Sequence, residues 1–179
     1  MIVVHWYSAD PHFGDAGIRA FFDRPFATVV AMDAAMLARL TERVGPEDDL
    51  WIIGDFAMPE LAERIFRAVP GRKHLVRGNH DPDELLALDW TSIHDLVEVQ
   101  DGELRFVLCH YPLMTWNGVR DGAINLFGHV HTNWQGADNQ VNVGVDCWDF
   151  APVTRGDALR RAVGLPENQV WRGVEQQLD

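Results

Sequence analysis

The sequence is poor in cysteine and has no long apolar run. Only two cysteines, Cys109 and Cys147, occur among its 179 residues, too few for a disulfide framework or a zinc knuckle. Both lie in apolar surroundings, so we expect buried free thiols of the kind found in cytoplasmic proteins. No stretch approaches the roughly 18 apolar residues of a membrane span, and the first residues do not form a signal peptide. We therefore expect a cytoplasmic protein with no membrane partner.

Basic residues are scarce as well. Lysine and arginine number 15 against 27 aspartates and glutamates, which gives a net charge of -12. Long nucleic acids bind largely through neutralised phosphates, so this balance disfavours them as partners, although a bound pair of cations would offset part of the charge locally. There is no internal repeat, low-complexity segment or linker, and the length suits one domain over residues 1–179.

Hydrophobic periodicity predicts alternating strands and helices in the first half. Strands are expected at 2–8, 49–53 and 74–77, and helices at 16–23, 31–44 and 59–69. In the second of these helices, Met32, Met36 and Leu40 recur at every fourth residue, which places them on one apolar face. Strands joined by crossover helices are expected to be parallel.

The second half is mostly strand. Asp101-Gly102 predicts a tight turn between strands at 96–100 and 104–108. Further strands are expected at 123–128 and 140–145, and helices at 82–89 and 154–163, with no assignment for the tail 164–179. Mixed sheets with helices on the outside fit this order of elements best.

Polar side chains able to bind metal follow the predicted strands at five places. These are Asp10-Pro11-His12, Gly54-Asp55, Gly78-Asn79-His80-Asp81, Cys109-His110-Tyr111-Pro112 and Gly128-His129-Val130-His131. Each alone is ordinary turn chemistry. Because ligands gather outside the carboxyl ends of strands in α/β sheets, we expect the five segments to meet at one edge. Imidazole with carboxylate suits divalent Mn, Fe, Zn or Ni, and the number of candidate ligands suits two ions that share a carboxylate.

Taken together, the five segments resemble the signature of the calcineurin-like metallophosphoesterases. The resemblance spans residues 1 to about 150, and Arg24-Pro25-Phe26 and Pro70-Gly71-Arg72-Lys73 are similar to a small bacterial and phage branch. It implies an α/β fold in which two mixed β-sheets pack as a sandwich flanked by helices, in four αββα layers.

The resemblance also implies two divalent metal ions and their ligands. One ion would be held by Asp10, His12, Asp55 and His131. The other would be held by Asp55, Asn79, His110 and His129. Asp55 would bridge the ions, and a hydroxide between them would attack phosphorus. We expect manganese first, with Fe, Zn, Ni and Co also compatible with these ligands.

His80 lies beside a ligand but is implied to have another role. It resembles the family histidine that contacts the phosphate and protonates the leaving group as a general acid. Asp81 is a further candidate catalytic residue. It would either orient that imidazole or simply cap the next turn. Asp15 and Asp146 fit either support of the ligands or ordinary turns.

The segment after Gly54-Asp55 departs from one branch of the family. The Ser/Thr protein phosphatases have an arginine there to grip phosphate, whereas this chain has Phe56-Ala57-Met58-Pro59. Binding of the phosphate would then fall to the metals, Asn79 and His80, with Asn117 and Arg120 as further candidates from a loop. A solvated loop arginine is the alternative for Arg120.

The sequence thus predicts a dinuclear metal-dependent phosphoesterase that hydrolyses small phosphodiesters or phosphomonoesters. Two alternatives remain. One is a nuclease acting on short or single-stranded nucleic acid, which the acidic charge disfavours. The other is a non-catalytic binding scaffold, as in a retromer subunit of similar fold, which the complete ligand set disfavours.

Overall fold

The computed structural model describes residues 3–175. In chain order its helices and strands are β1 (His5–Ser8), α1 (Ala16–Phe21), α2 (Val29–Arg43), β2 (Asp49–Ile53), α3 (Pro59–Ala68), β3 (Arg72–Val76), α4 (Asp83–Leu86), β4 (Ser92–His94), β5 (Leu96–Asp101), β6 (Leu104–Cys109), β7 (Ile124–Phe127), β8 (Gly136–Ala137), β9 (Gln140–Asn142), β10 (Val153–Thr154), α5 (Arg155–Val163) and α6 (Gln169–Glu175). Residues 1, 2 and 176–179 lie outside the described residues; of these, residue 2 belongs to the first predicted strand and 176–179 to the unassigned tail.

The strands form two mixed sheets of five strands each. The first has the order β10-β1-β2-β3-β4, with β1 to β4 parallel and β10 antiparallel to β1. The second has the order β5-β6-β7-β9-β8, with β6, β7 and β9 parallel and antiparallel strands at both edges. The parallel crossovers of the first half and the hairpin of the second are therefore as predicted.

Alternating side chains of β2 show how the two sheets are packed. Trp51 and Ile53 join Phe106 and Leu126 of the second sheet in an apolar core between the sheets. Leu50 and Ile52 lie on the opposite face, against the helices. Full burial of a large apolar side chain contributes about 1.5–3 kcal/mol, so these two interfaces fix the arrangement of the layers.

Helices and loops cover the outer faces. Met32, Met36 and Leu40 of α2 pack on the first sheet, as the four-residue spacing predicts. On the second sheet, Val107 packs under Trp116 of the following loop and under α6. A two-sheet sandwich flanked by helices is thereby confirmed. Among residues 3–175, none of the helices combines the length and the apolar character needed to cross a bilayer.

Several predicted bounds are wrong. The edge strand β4 was not predicted, the helix expected at 82–89 is only the four residues of α4, and β9 ends at Asn142 rather than at residue 145. Each of these elements is short, and its conformation depends on neighbours distant in the chain: β4 pairs with β3, and β9 pairs with β7 and β8.

The carboxyl ends of five strands from both sheets meet at one edge. Backbone hydrogen bonds join the segments that follow these strands: Asp10 N donates to Gly54 O over 3.1 Å, and Gly128 N donates to His110 O over 3.0 Å. An isolated bridge between Ala9 and Gly144 links the first sheet to the segment after β9. The fold thus brings the five polar segments together.

Candidate metal centre

The residues predicted to hold the first ion converge in a buried cluster. Ligand atoms of Asp10, His12 and His131 all lie within 4.8 Å of one another. His12 Nε2 lies 3.3 Å from Asp55 Oδ2 and is a buried nitrogen without a hydrogen-bond partner. His131 Nδ1 donates to Asp146 Oδ2 over 2.7 Å, which leaves its Nε2 lone pair available to a cation.

The residues predicted to hold the second ion also come together. His110 Nδ1 donates to the Ile53 carbonyl over 3.0 Å, so in the neutral ring Nε2 carries a lone pair. This nitrogen lies 3.0 Å from Asn79 Oδ1 and 3.5 Å from Asp55 Oδ2. His129 Nδ1 lies 3.0 Å from the same Asn79 oxygen. Such a concentration of acceptor atoms is typical of a cation site.

Asp55 lies between the two groups, as a shared ligand must. Its Oδ2 faces both His12 and His110, while its Oδ1 accepts a hydrogen bond of 2.8 Å from the backbone N–H of His80. The Asp10 carboxylate also lies close to both groups of ligands. Its ligand atom is within 4.8 Å of those of Asp55 and His110, as well as of those of His12 and His131.

Two glycines allow the carboxylates to approach the backbone. A Cβ added at Gly78 would lie 2.3 Å from Asp55 Oδ1, and one added at Gly128 would lie 2.5 Å from Asp10 Oδ2. Both oxygens of Asp10 also accept the N–H of His129, at 3.0 and 2.9 Å. The glycines therefore make room for ligand side chains.

The electrostatics of the cluster favour a bound cation. Burial raises the pKa of Asp10 well above its usual range, opposed by the N–H of His129 and reinforced by the charges of Asp55 and Asp146. Burial lowers the pKa of His12 and of His129, which keeps these imidazoles neutral. The buried carboxylates of Asp10 and Asp55 lie beside these neutral imidazoles, and a divalent cation would add positive charge between them. The carboxylate and imidazole side chains of the cluster are thus ligands that suit divalent cations.

The pKa of Asp55 moves in the other direction. Burial alone would raise it, but the nearby imidazoles of His12 and His110 and the N–H of His80 lower it. Asp55 is thus held as a carboxylate, the form that ligates metal.

His80 lies beside the ligands with its side chain exposed. Its ring centroid is 5.4 Å from that of His12. Both rings line an open cavity of about 360 Å³, together with Met58, Arg77 and Asn79. The cavity gives a small molecule access to the ligand cluster next to His80.

Asp81 has hydrogen-bond partners that the sequence did not suggest. Its carboxylate is buried and accepts three backbone N–H groups, from Gly78 (2.8 Å), Asp55 (2.9 Å) and Phe56 (2.8 Å). Among the described residues none of its hydrogen bonds reaches the His80 imidazole, and α4 has no side-chain cap, so its predicted catalytic role gains no support. The carboxylate joins the turn after β2 to the turn after β3.

Asn117 and Arg120 are placed elsewhere. Asn117 Nδ2 donates to Glu98 Oε1 over 2.8 Å, and Arg120 Nε donates to Glu175 Oε2 over 3.0 Å. Both line a separate depression of about 460 Å³ with Thr115, and neither lines the cavity beside His80. The structure does not bring them to the ligand cluster, so their proposed contact with substrate gains no support.

Arg24 contacts the cluster but had no predicted role. Its side chain is fully buried and forms an ion pair of 2.8 Å with Asp146. In the sequence Asp146 is a possible support for the ligands, whereas Arg24 is notable only as part of the branch-like segment Arg24-Pro25-Phe26. Asp15, the other candidate support, caps α1 through hydrogen bonds from Gly17 and Ile18.

Comparisons with known proteins agree with the fold. No family model matches the chain. The gene 66 protein of Mycobacterium phage D29 is 28% identical, with 88% of this chain and 94% of the phage protein covered. The solved structure of AQ665 from Aquifex aeolicus, a protein of unknown function, has a TM-score of 0.71 and 26% identity, covering 87% of this chain and 97% of that one.

A solved archaeal phosphodiesterase matches with a TM-score of 0.45 and 15% identity, over 78% of this chain and 81% of that one. The Aquifex structure confirms the two-sheet architecture. The Aquifex protein is of unknown function, so the function of this chain is inferred from the residues of the candidate centre.

Proposed function

We propose that this chain, which has the calcineurin-like metallophosphoesterase fold, hydrolyses small phosphodiesters or phosphomonoesters with two divalent metal ions. One observation carries the proposal: side chains from five strand ends form a single cluster of acceptor atoms, in which the buried His12 Nε2 has no hydrogen-bond partner. Buried polar atoms without a hydrogen-bond partner are rare, and a bound cation would give this nitrogen a partner.

Seven residues would hold the ions. The first ion takes Asp10, His12, Asp55 and His131, and the second takes Asp55, Asn79, His110 and His129. Bound cations of this kind lower the pKa of water and neutralise charge that develops on phosphoryl oxygens. Manganese is our first choice, and imidazole with carboxylate also suits Fe, Zn, Ni and Co.

The chain's own residues would handle the leaving group. The His80 backbone is fixed by its hydrogen bond to Asp55, whereas its imidazole is exposed to the cavity. His80 can therefore contact the phosphate beside Asn79 and give its ring proton to the leaving oxygen as the ester bond breaks. A small ester in an open cavity fits this arrangement.

The experiment for the metal proposal is a metal analysis combined with hydrolysis of a nitrophenyl phosphodiester. We expect two ions per chain after loading with Mn²⁺, and turnover that EDTA abolishes. A screen of mono-, di- and cyclic phosphoesters on the Mn-loaded protein would then define the substrate class. A protein that binds no metal, or that binds two ions and hydrolyses none of these esters, contradicts the proposal.

The proposed role of His80 predicts that its substitution lowers turnover and leaves the metal content unchanged. His80→Ala and His80→Asn should keep both ions but lose about 10²–10⁴-fold in kcat with an unactivated alkyl ester. The loss should be smaller with a nitrophenyl ester, whose leaving group needs no proton. His94→Ala, a histidine bonded to Ser92 away from the cluster, is the matched control. Full activity of His80→Ala on the alkyl ester would remove His80 from the mechanism.

The nuclease alternative has a separate test. Gel assays with Mn²⁺ on single-stranded and duplex substrates should show little cleavage, because the net charge of -12 opposes binding of polyanions. The scaffold alternative requires metal-loaded protein without turnover on any ester of the screen.

A further inference from the structure

A buried ion pair lies directly behind the first metal position. Arg24 Nε donates to Asp146 Oδ1 over 2.8 Å, and Arg24 Nη2 donates to Asp146 Oδ2 over 2.8 Å. The two side chains are 0% and 3% exposed. Such bidentate geometry is the strongest form of an arginine–carboxylate contact.

Arg24 also holds the backbone of the first ligand segment. Its Nη2 donates to the Asp10 carbonyl over 2.8 Å, and its Nη1 donates to the Pro11 carbonyl over 2.9 Å. A longer contact of 3.6 Å joins Nη1 to Met32 Sδ. The five N–H groups of a guanidinium thus each have an acceptor. Arg24 fixes the segment that presents Asp10 and His12.

Asp146 fixes the third ligand. Its Oδ2 accepts the 2.7 Å hydrogen bond from His131 Nδ1, so it sets both the tautomer and the direction of the opposite nitrogen. The face of the His131 ring stacks on Phe22, with centroids 3.9 Å apart and the planes at 17°. Its other neighbour is His12, whose ring is 5.4 Å away at 21°.

The second metal position is supported differently. The His110 ring is fixed by the Ile53 carbonyl, and among the described residues no hydrogen bond joins the Arg24–Asp146 pair to Asn79 or His129. Hydrogen bonds of the pair therefore reach the Asp10 backbone and the His131 ring, both of which belong to ligands assigned to the first position.

We propose that Arg24 and Asp146 are positioning residues that hold Asp10, His12 and His131 as one unit, so that affinity at the first metal position depends on them. Affinity at the second position does not. The inference rests on the proposed function, since it concerns the same metal centre. It adds that the metal affinity of one position can be changed without that of the other, by substituting residues that ligate neither ion.

The test is a calorimetric titration of Mn²⁺ into metal-free protein. Asp146→Asn removes the charge that holds His131 and leaves Arg24 facing an amide, and loss of such a supporting group typically weakens metal binding about 10–100-fold. We expect one of the two sites to weaken by that factor and the other to stay within about twofold. Arg24→Lys keeps the charge but loses the planar fork, and should act in the same direction if Asp146→Asn does not fold without metal.

The matched control is Asp149→Asn, which breaks the Arg39–Asp149 pair of 3.0 Å on the surface, where Asp149 is 86% exposed. It should leave both sites unchanged. A second readout is Mn²⁺ electron paramagnetic resonance. At metal concentrations that give the spin-coupled pair in the wild type, Asp146→Asn should give the signal of an isolated ion.

The results separate the two proposals. Wild-type protein that binds no Mn²⁺ overturns the proposed function and this inference together. Wild-type protein with two sites, and Asp146→Asn and Arg24→Lys variants that fold and bind both ions as the wild type does, overturns this inference alone. Equal weakening of both sites also overturns it, because the pair would then stabilise the fold without selecting a position.

Discussion

Five of the proposed ligands adopt a left-handed backbone that residues with side chains rarely use. Their φ angles are 55° for Asp10, 49° for His12, 56° for Asp55, 69° for His129 and 46° for His131. Each such conformation costs on the order of 1 kcal/mol. Aspartate and histidine tolerate it better than branched residues. Only three other non-glycine residues in the described part of the chain share it, so backbone strain is concentrated at the candidate centre, as is common at functional sites.

The buried carboxylate of Asp10 predicts an unusual pH dependence for the metal-free protein. Burial raises its pKa in the folded state, so the folded state binds the proton more tightly than the unfolded chain. Its contribution to stability is therefore complete below the unfolded value of about 3.9 and is lost as the pH rises through the raised folded pKa. Urea unfolding in EDTA should show the wild type becoming less stable relative to Asp10→Asn as the pH rises.

Excess Mn²⁺ provides the control for that measurement. With metal bound, the carboxylate is needed as a ligand, so the wild type should be the more stable protein at neutral pH. A stability difference in EDTA that is constant, or that grows in favour of the wild type with rising pH, contradicts the expectation.

Residue types led to the proposed ligand set and to Asp146 as a possible support, but not to Arg24 or to the ligand that Asp146 contacts. Aspartate and histidine after strand ends carry their chemistry in the sequence, and the structure gathers all seven. The support of His131 by Asp146 and of Asp146 by Arg24 depends on contacts between residues 15 and 122 positions apart. Asp81 was expected to orient its sequence neighbour His80 or to cap the next turn, whereas two of the N–H groups that it binds belong to Asp55 and Phe56. Sequence motifs describe neighbours along the chain, so they cannot identify partners that are this far apart.

At the scale of elements, hydrophobic periodicity was sufficient to predict the long helices and strands. The helix α2 and the strands β2 and β6 have apolar spacing that agrees with the structure, because their buried faces run over several residues. The strands β8 and β10 have two residues each and are defined by their pairing partners. No period can be recognised in two residues, so only the assembled sheets reveal these strands.

Asp81 joins the turn after β2 to the turn after β3, so we expect Asp81→Asn to lower the stability of the protein strongly. The amide would present its NH2 group to backbone N–H groups that now bind a carboxylate, leaving at least one buried donor unsatisfied. We expect a loss of about 1–3 kcal/mol in the free energy of unfolding, together with weaker Mn²⁺ binding because the Asp55 turn is displaced. Denaturant unfolding in EDTA and calorimetry would measure the two effects.

Asp83→Asn is the control for that substitution, two residues further along. Asp83 is 89% exposed and pairs with Arg77 on the surface, where an ion pair contributes about 0–1 kcal/mol. Similar small losses in both variants would mean that the three hydrogen bonds of Asp81 do not hold the turns together.

For the whole molecule, the candidate centre connects the two sheets. Asp10, Asp55 and Asn79 follow strands of the first sheet, whereas His110 and His129 follow strands of the second. The two sheets pack together through a shared apolar core. Cations bound by ligands from both sheets would add a polar cross-link at one edge of that core, and they would offset part of the net charge of -12.

Metal loading should therefore stabilise the entire protein. A ligand that binds only the folded state adds about 2.7 kcal/mol per site when its free concentration is 100-fold above Kd, and a protein of this size gains roughly 2–4 °C in Tm per kcal/mol. Scanning calorimetry should show Tm rising with Mn²⁺ concentration and returning to the metal-free value with EDTA. Asp146→Asn, weakened at one position, should gain less than the wild type at the same concentration. A Tm that does not respond to Mn²⁺ would show that the ions do not join the two sheets.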